Sequence, residues 1–190
     1  MEIYFITGNP KKAEYLKKYL GLEIKHQKVD LDEIQSMDLK KIVEHKVRQA
    51  YEKIKKPVLV EDVGLFFDDL NGLPGPFIKF FVENLDFQKI CNMVFENRGA
   101  KVKTVFGYYD GKKLTLLEST LRGEISDEPR GENGFGWDKI FIPEGYDRTR
   151  AELDEKENEK TYKEMKGLKK LKEFLIKEKD KKLVIDKLRD

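Results

Sequence analysis

The sequence predicts an α/β fold, a mixed β-sheet flanked by helices with two lobes meeting at a central cleft. Three observations predict it. Strand-like and helix-like periodicities alternate over the first sixty or so residues, the pattern of parallel βαβ units. Two long β-rich runs in "KVKTVFGYYDGKKLTLLESTLRGEIS" meet at Asp110-Gly111, a strong antiparallel hairpin signal. Neither an internal repeat nor a Ser/Gly linker divides the 190 residues, so one domain spanning 1–190 is expected to hold both parts in one sheet.

The elements follow in order. "EIYFI" (2–6) is a short β-rich run ending in "TGNP". Next, "KKAEYLKKYLG" places Ala13, Leu16, Tyr19 and Leu20 on one helical face, with Asn9 suited to the N-cap, Pro10 to the first turn and Gly21 to the C-terminal cap. "LEIKHQKV" alternates like a strand. From Asp38 to about Ile54, apolar residues recur at helical spacing. "PVLVE" is a third strand, closing on Glu61 and Asp62, and a turn-rich segment with Gly64, Gly72, Pro74, Gly75 and Pro76 follows. "FIKFFVENLDFQKICNMVFEN" reads as one or two helices, and "KIFIP" as a last strand. A lysine-rich helical stretch at about 160–190 carries a docking stripe of Leu168, Leu171, Phe174 and Leu175.

Composition narrows the function classes. Hydrophobic and charged residues each make up 39%, and 38 basic residues face 36 acidic ones. So small a net charge argues against a polycation that coats nucleic acid. The stretch 160–190 holds twelve Lys/Arg and six Asp/Glu, a local +6, but the interleaving is that of a solvated helix face. The single cysteine, Cys91, sits among apolar neighbours as a buried thiol and excludes an internal disulfide. His26 and His45 have no partner at metal-ligand spacing. No apolar run approaches the roughly 20 residues that cross a bilayer, and "MEIYFITGNP" lacks signal-peptide character. A soluble cytoplasmic protein without a membrane partner is expected.

Four stretches carry candidate chemistry. In "TGNPKK", a strand delivers Thr7, Gly8 and Asn9 to a helix N-terminus, where amide groups and the dipole favour an anion that Lys12 can also reach. An ordinary capped helix has the same signature. Lys46 falls on the inward stripe of the 38–54 helix, so it either snorkels to solvent or lines a cleft wall. Glu61 and Asp62 close a strand of an α/β sheet, where ligands bind. Because neighbours on a strand face opposite sides, one acid can meet a ligand while the other is held by the scaffold. Glu33, in "DLDEIQ" after the second strand, could converge with them, and hard carboxylate oxygens beside phosphates are an Mg²⁺ environment. Finally, "NGFGWDKIF" puts Phe135, Gly136, Trp137 and Asp138 in a glycine-hinged turn, either a nucleobase clamp or ordinary core.

Together these stretches resemble the inosine triphosphate pyrophosphatase family, the non-standard purine NTP pyrophosphatases, and in "GLPGPFIK" and "FGWD" its eukaryotic branch. The match runs from "FITGNPKK" through "DLDEIQ", "PVLVEDVGLFFDDLNGLPGPFIKFF" and "RGENGFGWDKIFIPEGY" to "TRAEL". The resemblance implies an elongated, twisted mixed sheet, a homodimer, and Mg²⁺-dependent hydrolysis (Mn²⁺ as a substitute) of ITP, dITP and XTP to the monophosphate and pyrophosphate. By position, Thr7, Gly8, Asn9 and Lys12 would hold the triphosphate. Glu33 and Asp62, with Glu61, would organise metal and water, Asp62 being the general base. Lys46 and Lys79 would contact phosphate, and Phe135 to Asp138 would hold the base. Val63 replaces the small or hydroxyl residue usual after the acidic pair. A larger departure lies in "EKENEKTYKEMKG": the family's Ser, His and Arg that read the oxo-purine appear here as Thr161, Tyr162 and Lys163, and Lys156 fits the preceding lysine only with an insertion. Weakened preference for ITP over ATP is the expectation. The alternatives are a pyrophosphatase with shifted base preference and a nucleotide or RNA binder without turnover.

Overall fold

The structure, a computed structural model, describes residues 2–187, with side chains through Lys181; the end of the lysine-rich stretch expected at 160–190 lies outside the described residues. The first strand, β1 (Tyr4–Ile6), leads into helix α1 (Pro10–Leu20) and returns as β2 (Lys25–Gln27), parallel to β1 with Tyr4 opposite Lys25. The signals that start and stop α1 act as read. Asn9 Oδ1 accepts from the amides of Lys11 and Lys12, Pro10 opens the helix, and Gly21 at φ 60° closes it. The second strand is shorter than its alternation suggested. Lys25, His26 and Gln27 are all exposed at the sheet edge, so no buried face prolongs the pairing.

Helix α2 (Leu39–Ile54), capped by Asp38, buries Leu39, Ile42, Val43, Val47 and Ala50 against the sheet and leads to β3 (Val58–Phe67). This strand corrects the expectation that Glu61 and Asp62 close it. It runs on through both acids to Phe67, because an antiparallel partner, β5 (Gly99–Tyr109), pairs with its whole length, from Val58↔Tyr109 to Phe67↔Ala100. On its other edge β1 pairs only with Val58 and Leu59. The acids thus stand mid-strand, just beyond the point where β1 stops, and the cleft opens off the carboxyl end of β1.

The Gly/Pro segment folds back along β3. Pro74 and Gly75 form a two-residue strand, β4, against Phe66 and Leu65, and the chain then enters α3 (Ile78–Asn84) and α4 (Phe87–Cys91). So close a return needs glycine: a Cβ on Gly64 would lie 2.7 Å from the Phe66 ring and 2.9 Å from the Gly75 backbone. The predicted hairpin is β5 with β6 (Leu114–Ile125), and β7 (Phe141–Pro143) pairs with the end of β6. The sheet has seven strands in the order β2-β1-β3-β5-β6-β7, with β4 alongside β3, parallel on the β2-β1-β3 side and antiparallel beyond.

Helices α5 (Glu155–Lys166) and α6 (Leu168–Lys187) complete the chain, broken at Gly167 with φ 57°. The predicted stripe docks: Leu168, Leu171 and Leu175 are buried, and Phe174 meets Tyr108 edge-on. Along β3 the pleat splits the core in two. Leu59, Leu65 and Phe67 join the cluster under α1, α5 and α6, whereas Val58, Val60 and Phe66 join the one under α2. Glu61 inherits the first face and Asp62 the second, which sets their separate fates below.

Candidate active site

Between these layers lies a cleft of about 770 Å³, within the range of ~300–1,000 Å³ usual for small-molecule sites. The β1–α1 turn brings Thr7, Gly8, Asn9 and Lys12 to it, the loop after β2 brings Glu33, and α2 brings Lys46. Strand β3 supplies Glu61 and Asp62, and α3 supplies Lys79. Phe135 to Asp138, at a 3-10 turn before β7, form the far wall with Tyr162 of α5. Three predicted residues are not brought in. Lys156 and Lys163 are exposed on α5, and Lys163 pairs with Glu159 at 2.8 Å over the Tyr19 ring. Thr161 is fully buried behind the wall. Helical spacing gives the physical reason: Tyr162 takes the cleft-facing position, and a residue beside it on α5 must point elsewhere.

The centre of the cleft is a lysine between two acids. Lys46 Nζ donates to Glu33 Oε1 at 2.7 Å and to Asp62 Oδ2 at 3.0 Å. Its side chain is only 14% exposed, so it turns inward rather than snorkelling to solvent. Burial disfavours its charge, but the Asp62 and Glu33 carboxylates outweigh that and hold its pKa above the ordinary lysine value. The hydrogen bond from Lys46 holds Glu33 below the usual carboxylate range, despite some burial, with help from Lys79 and Lys12. Asp62 Oδ1 also accepts from the Val63 amide, which fixes its orientation. The loop carrying Glu33 is pinned by Gln49 of α2, which bonds the Asp32 amide at 2.8 Å and its carboxylate at 2.7 Å.

On the opposite face of β3, Glu61 does something else. Its side chain is 1% exposed and accepts from Lys166, with Lys12 at 3.6 Å. Burial alone would raise its pKa; Lys12 and Lys166 overcome that and keep it ionised. Burial pushes Lys166 down to about 8, against the pull of Glu61. Glu61, expected among the metal ligands, here neutralises a buried lysine on the face of β3 opposite Asp62. Lys166 itself escaped the sequence reading. The signal was present, because Tyr162, Met165 and Lys166 recur on the buried stripe of α5, just as Lys46 does on α2.

At the anion end, the cap consumes most of the local amides. Asn9 N donates to Thr7 Oγ1, Lys11 N and Lys12 N donate to Asn9, and Pro10 has none. What remains for an anion is Gly8, where a Cβ would meet nothing within 4 Å, together with the Lys12 ammonium and the helix dipole.

The far wall is built around Asp138, which is 4% exposed. Its Oδ2 accepts from the Phe135 amide at 3.0 Å, and its Oδ1 accepts from Arg150 Nη1 at 2.6 Å. Gly134, at φ 75°, makes room for it, since a Cβ there would sit 2.4 Å from Oδ2. Trp137 is half-buried, its ring edge-on to Phe141 at 5.8 Å, so it belongs to both core and cleft. Tyr162 packs against Tyr15 and Tyr19, and its hydroxyl has no hydrogen-bond partner among the described residues. Arg150, also missed from sequence, lines the cleft from the "TRAEL" turn.

Glu33 and Asp62 converge on one ammonium, so a cation is already accommodated between them. Among the described residues no third His, Cys, Asp or Glu joins such a cluster. Two hard carboxylates that leave the other positions to water and phosphate match Mg²⁺, and they do not match a metal wanting imidazole or thiolate. Also among the described residues, no helix is long and apolar enough to cross a membrane.

The model of the Ham1 family matches residues 3–174. A protein named inosine triphosphate pyrophosphatase from Schizosaccharomyces pombe is 40% identical over 185 residues, covering 94% of this chain and 97% of its own length. One named dITP/XTP pyrophosphatase from Thermococcus kodakarensis is 38% identical over 162 residues, covering 83% and 88%. The solved structure of a HAM1 protein from Coxiella burnetii superposes with a TM-score of 0.81 at 29% identity, covering 93% of this chain and 99% of that one.

Proposed function

The chain belongs to the Ham1 family, and from that premise we propose that it hydrolyses non-standard purine nucleoside triphosphates, such as ITP, dITP and XTP, to the monophosphate and pyrophosphate. The observation that carries the proposal is the convergence of Glu33, Lys46 and Asp62 beside the Thr7–Lys12 helix start. Acids able to hold a metal and a water there adjoin a cationic anion site, as hydrolysis of a triphosphate needs. The names of the relatives support the same activity.

Glu33 and Asp62 would hold Mg²⁺, which when bound supplies charge to phosphate oxygens and a template for water. The remaining roles fall to the chain. Lys12 and Lys79 bind the phosphates, and Lys46 offsets charge that builds on them. Asp62 takes a proton from the attacking water. The water oxygen bonds to the α-phosphorus, the α–β anhydride bond breaks, and pyrophosphate leaves with the bond's electron pair. Trp137 and Phe135 stack on the base. The active unit is a homodimer in this reading.

A pyrophosphate-release panel over deaminated purine, ordinary purine and pyrimidine triphosphates, with and without Mg²⁺, tests the assignment. Monophosphate and pyrophosphate are the expected products. Diphosphate and orthophosphate as main products would sink it.

A further inference from the structure

We propose that Arg150 reads the base: held by Asp138 and Thr161 in the cleft wall beside Trp137, its guanidinium selects a purine ring that presents a carbonyl oxygen over one that presents an amino group. This rests on the cleft being a nucleotide site. It moves the reader away from Thr161, Tyr162 and Lys163, where the sequence placed it.

A donor count carries the argument. A guanidinium has five N–H donors in a planar fork and no acceptor. Arg150 Nε donates to Thr161 Oγ1 at 3.3 Å, and Nη1 donates to Asp138 Oδ1 at 2.6 Å, with Met165 Sδ 3.8 Å away. Nη2 bonds to no described residue. Arg150 is only 5% exposed yet lines the cleft, so the N–H groups of Nη2 are the donors left over for whatever enters it. The fork cannot swing away from it. Thr161 is itself fixed by donating to Asn158 O at 3.0 Å, and Asp138 by the Phe135 amide.

A charged donor, preorganised and largely desolvated, rewards an acceptor and penalises another donor. A 6-oxo purine offers an acceptor on that edge, whereas adenine offers an amino group that cannot accept. Lys163, turned out to Glu159, cannot contribute, and Tyr162 has no planar fork. A purely structural Arg150, present only to neutralise Asp138, would instead affect all nucleotides alike.

The test compares wild type with Arg150→Lys, which keeps a cation for Asp138 but loses the fork, and with Arg150→Gln. Two ratios are measured: kcat/KM for ITP over ATP, and affinity for inosine monophosphate over adenosine monophosphate, which needs no turnover. Inhibition by inorganic tripolyphosphate reports the phosphate end. Sites built to hydrogen-bond a substrate group discriminate by up to ~10⁵-fold, and for one partly open donor both ratios should fall by at least ~10-fold. Tripolyphosphate inhibition should hold. Equal losses for both bases, leaving both ratios within about twofold of wild type, overturn the proposal; that spread is the scatter usual for such comparisons. If wild type releases no pyrophosphate, the proposed activity fails, but the monophosphate ratio still tests Arg150. Should the Arg150 variants misfold, Thr161→Val removes the Nε acceptor at nearly constant shape. An unchanged ratio in that variant also overturns the proposal.

Discussion

Replacing Lys166 by methionine should destabilise the protein sharply, and the structure sets the size of the loss. The Lys166 and Glu61 side chains are 5% and 1% exposed; Lys166 meets Glu61 Oε1, and Oε2 has no hydrogen-bond partner among the described residues. Removing one member of a buried ion pair costs ~3–5 kcal/mol, because the remaining charge is left uncompensated in a poorly polarisable interior. Lys12, 3.6 Å from Glu61, still offsets part of that charge, so the lower end, about 3 kcal/mol, applies to Lys166→Met. In a chain of this length, that lowers Tm by roughly 6–12 °C. Removing both charges, Glu61→Leu with Lys166→Met, should restore most of the loss, since a buried pair and an apolar replacement are often of similar stability. Thermal denaturation monitored by circular dichroism measures all three proteins. A loss under about 2 °C in the single variant, or no recovery in the double, refutes the reasoning. The single variant should also raise KM, because Glu61 then competes with phosphate for Lys12.

Three further outcomes are expected. Asp62→Asn keeps the shape but removes the charge that takes a proton, and should lower kcat by at least ~10²-fold in a pyrophosphate-release assay with folding verified; a variant retaining most of its activity would move the chemistry elsewhere. Lys46→Met leaves Glu33 and Asp62 facing each other without their shared cation, so turnover should drop and Glu33 should titrate higher, seen as an acid limb of the rate profile shifted upward. Unchanged kinetics would make this lysine structural only. Gly64→Ala drives a Cβ into Phe66 and the Gly75 backbone, forcing β4 off β3, and should cost ~1–3 kcal/mol by denaturant unfolding. A neutral result would show that the β3–β4 contact is slack.

Local chemistry alone determined much of this protein. The N-cap Asn9, the stop at Gly21, the α2 stripe, the Asp110-Gly111 hairpin and the α6 docking face all depend on the short-range periods of helix and strand, and all appear where the residues put them. The same alternation correctly separated Glu61 from Asp62. What those two acids do was decided by tertiary structure. Strand β3 outruns β1 because β5 pairs with it along ten residues, a contact no local pattern announces, and that mismatch places both acids mid-strand at the cleft. Glu61 meets Lys166 across 105 positions of sequence, and Asp138 meets Arg150 from another turn. A lysine or arginine in sequence carries no mark of whether it will be exposed or buried. Burial is what turns such a charge into a partner that must be satisfied, and burial is a property of the packed whole.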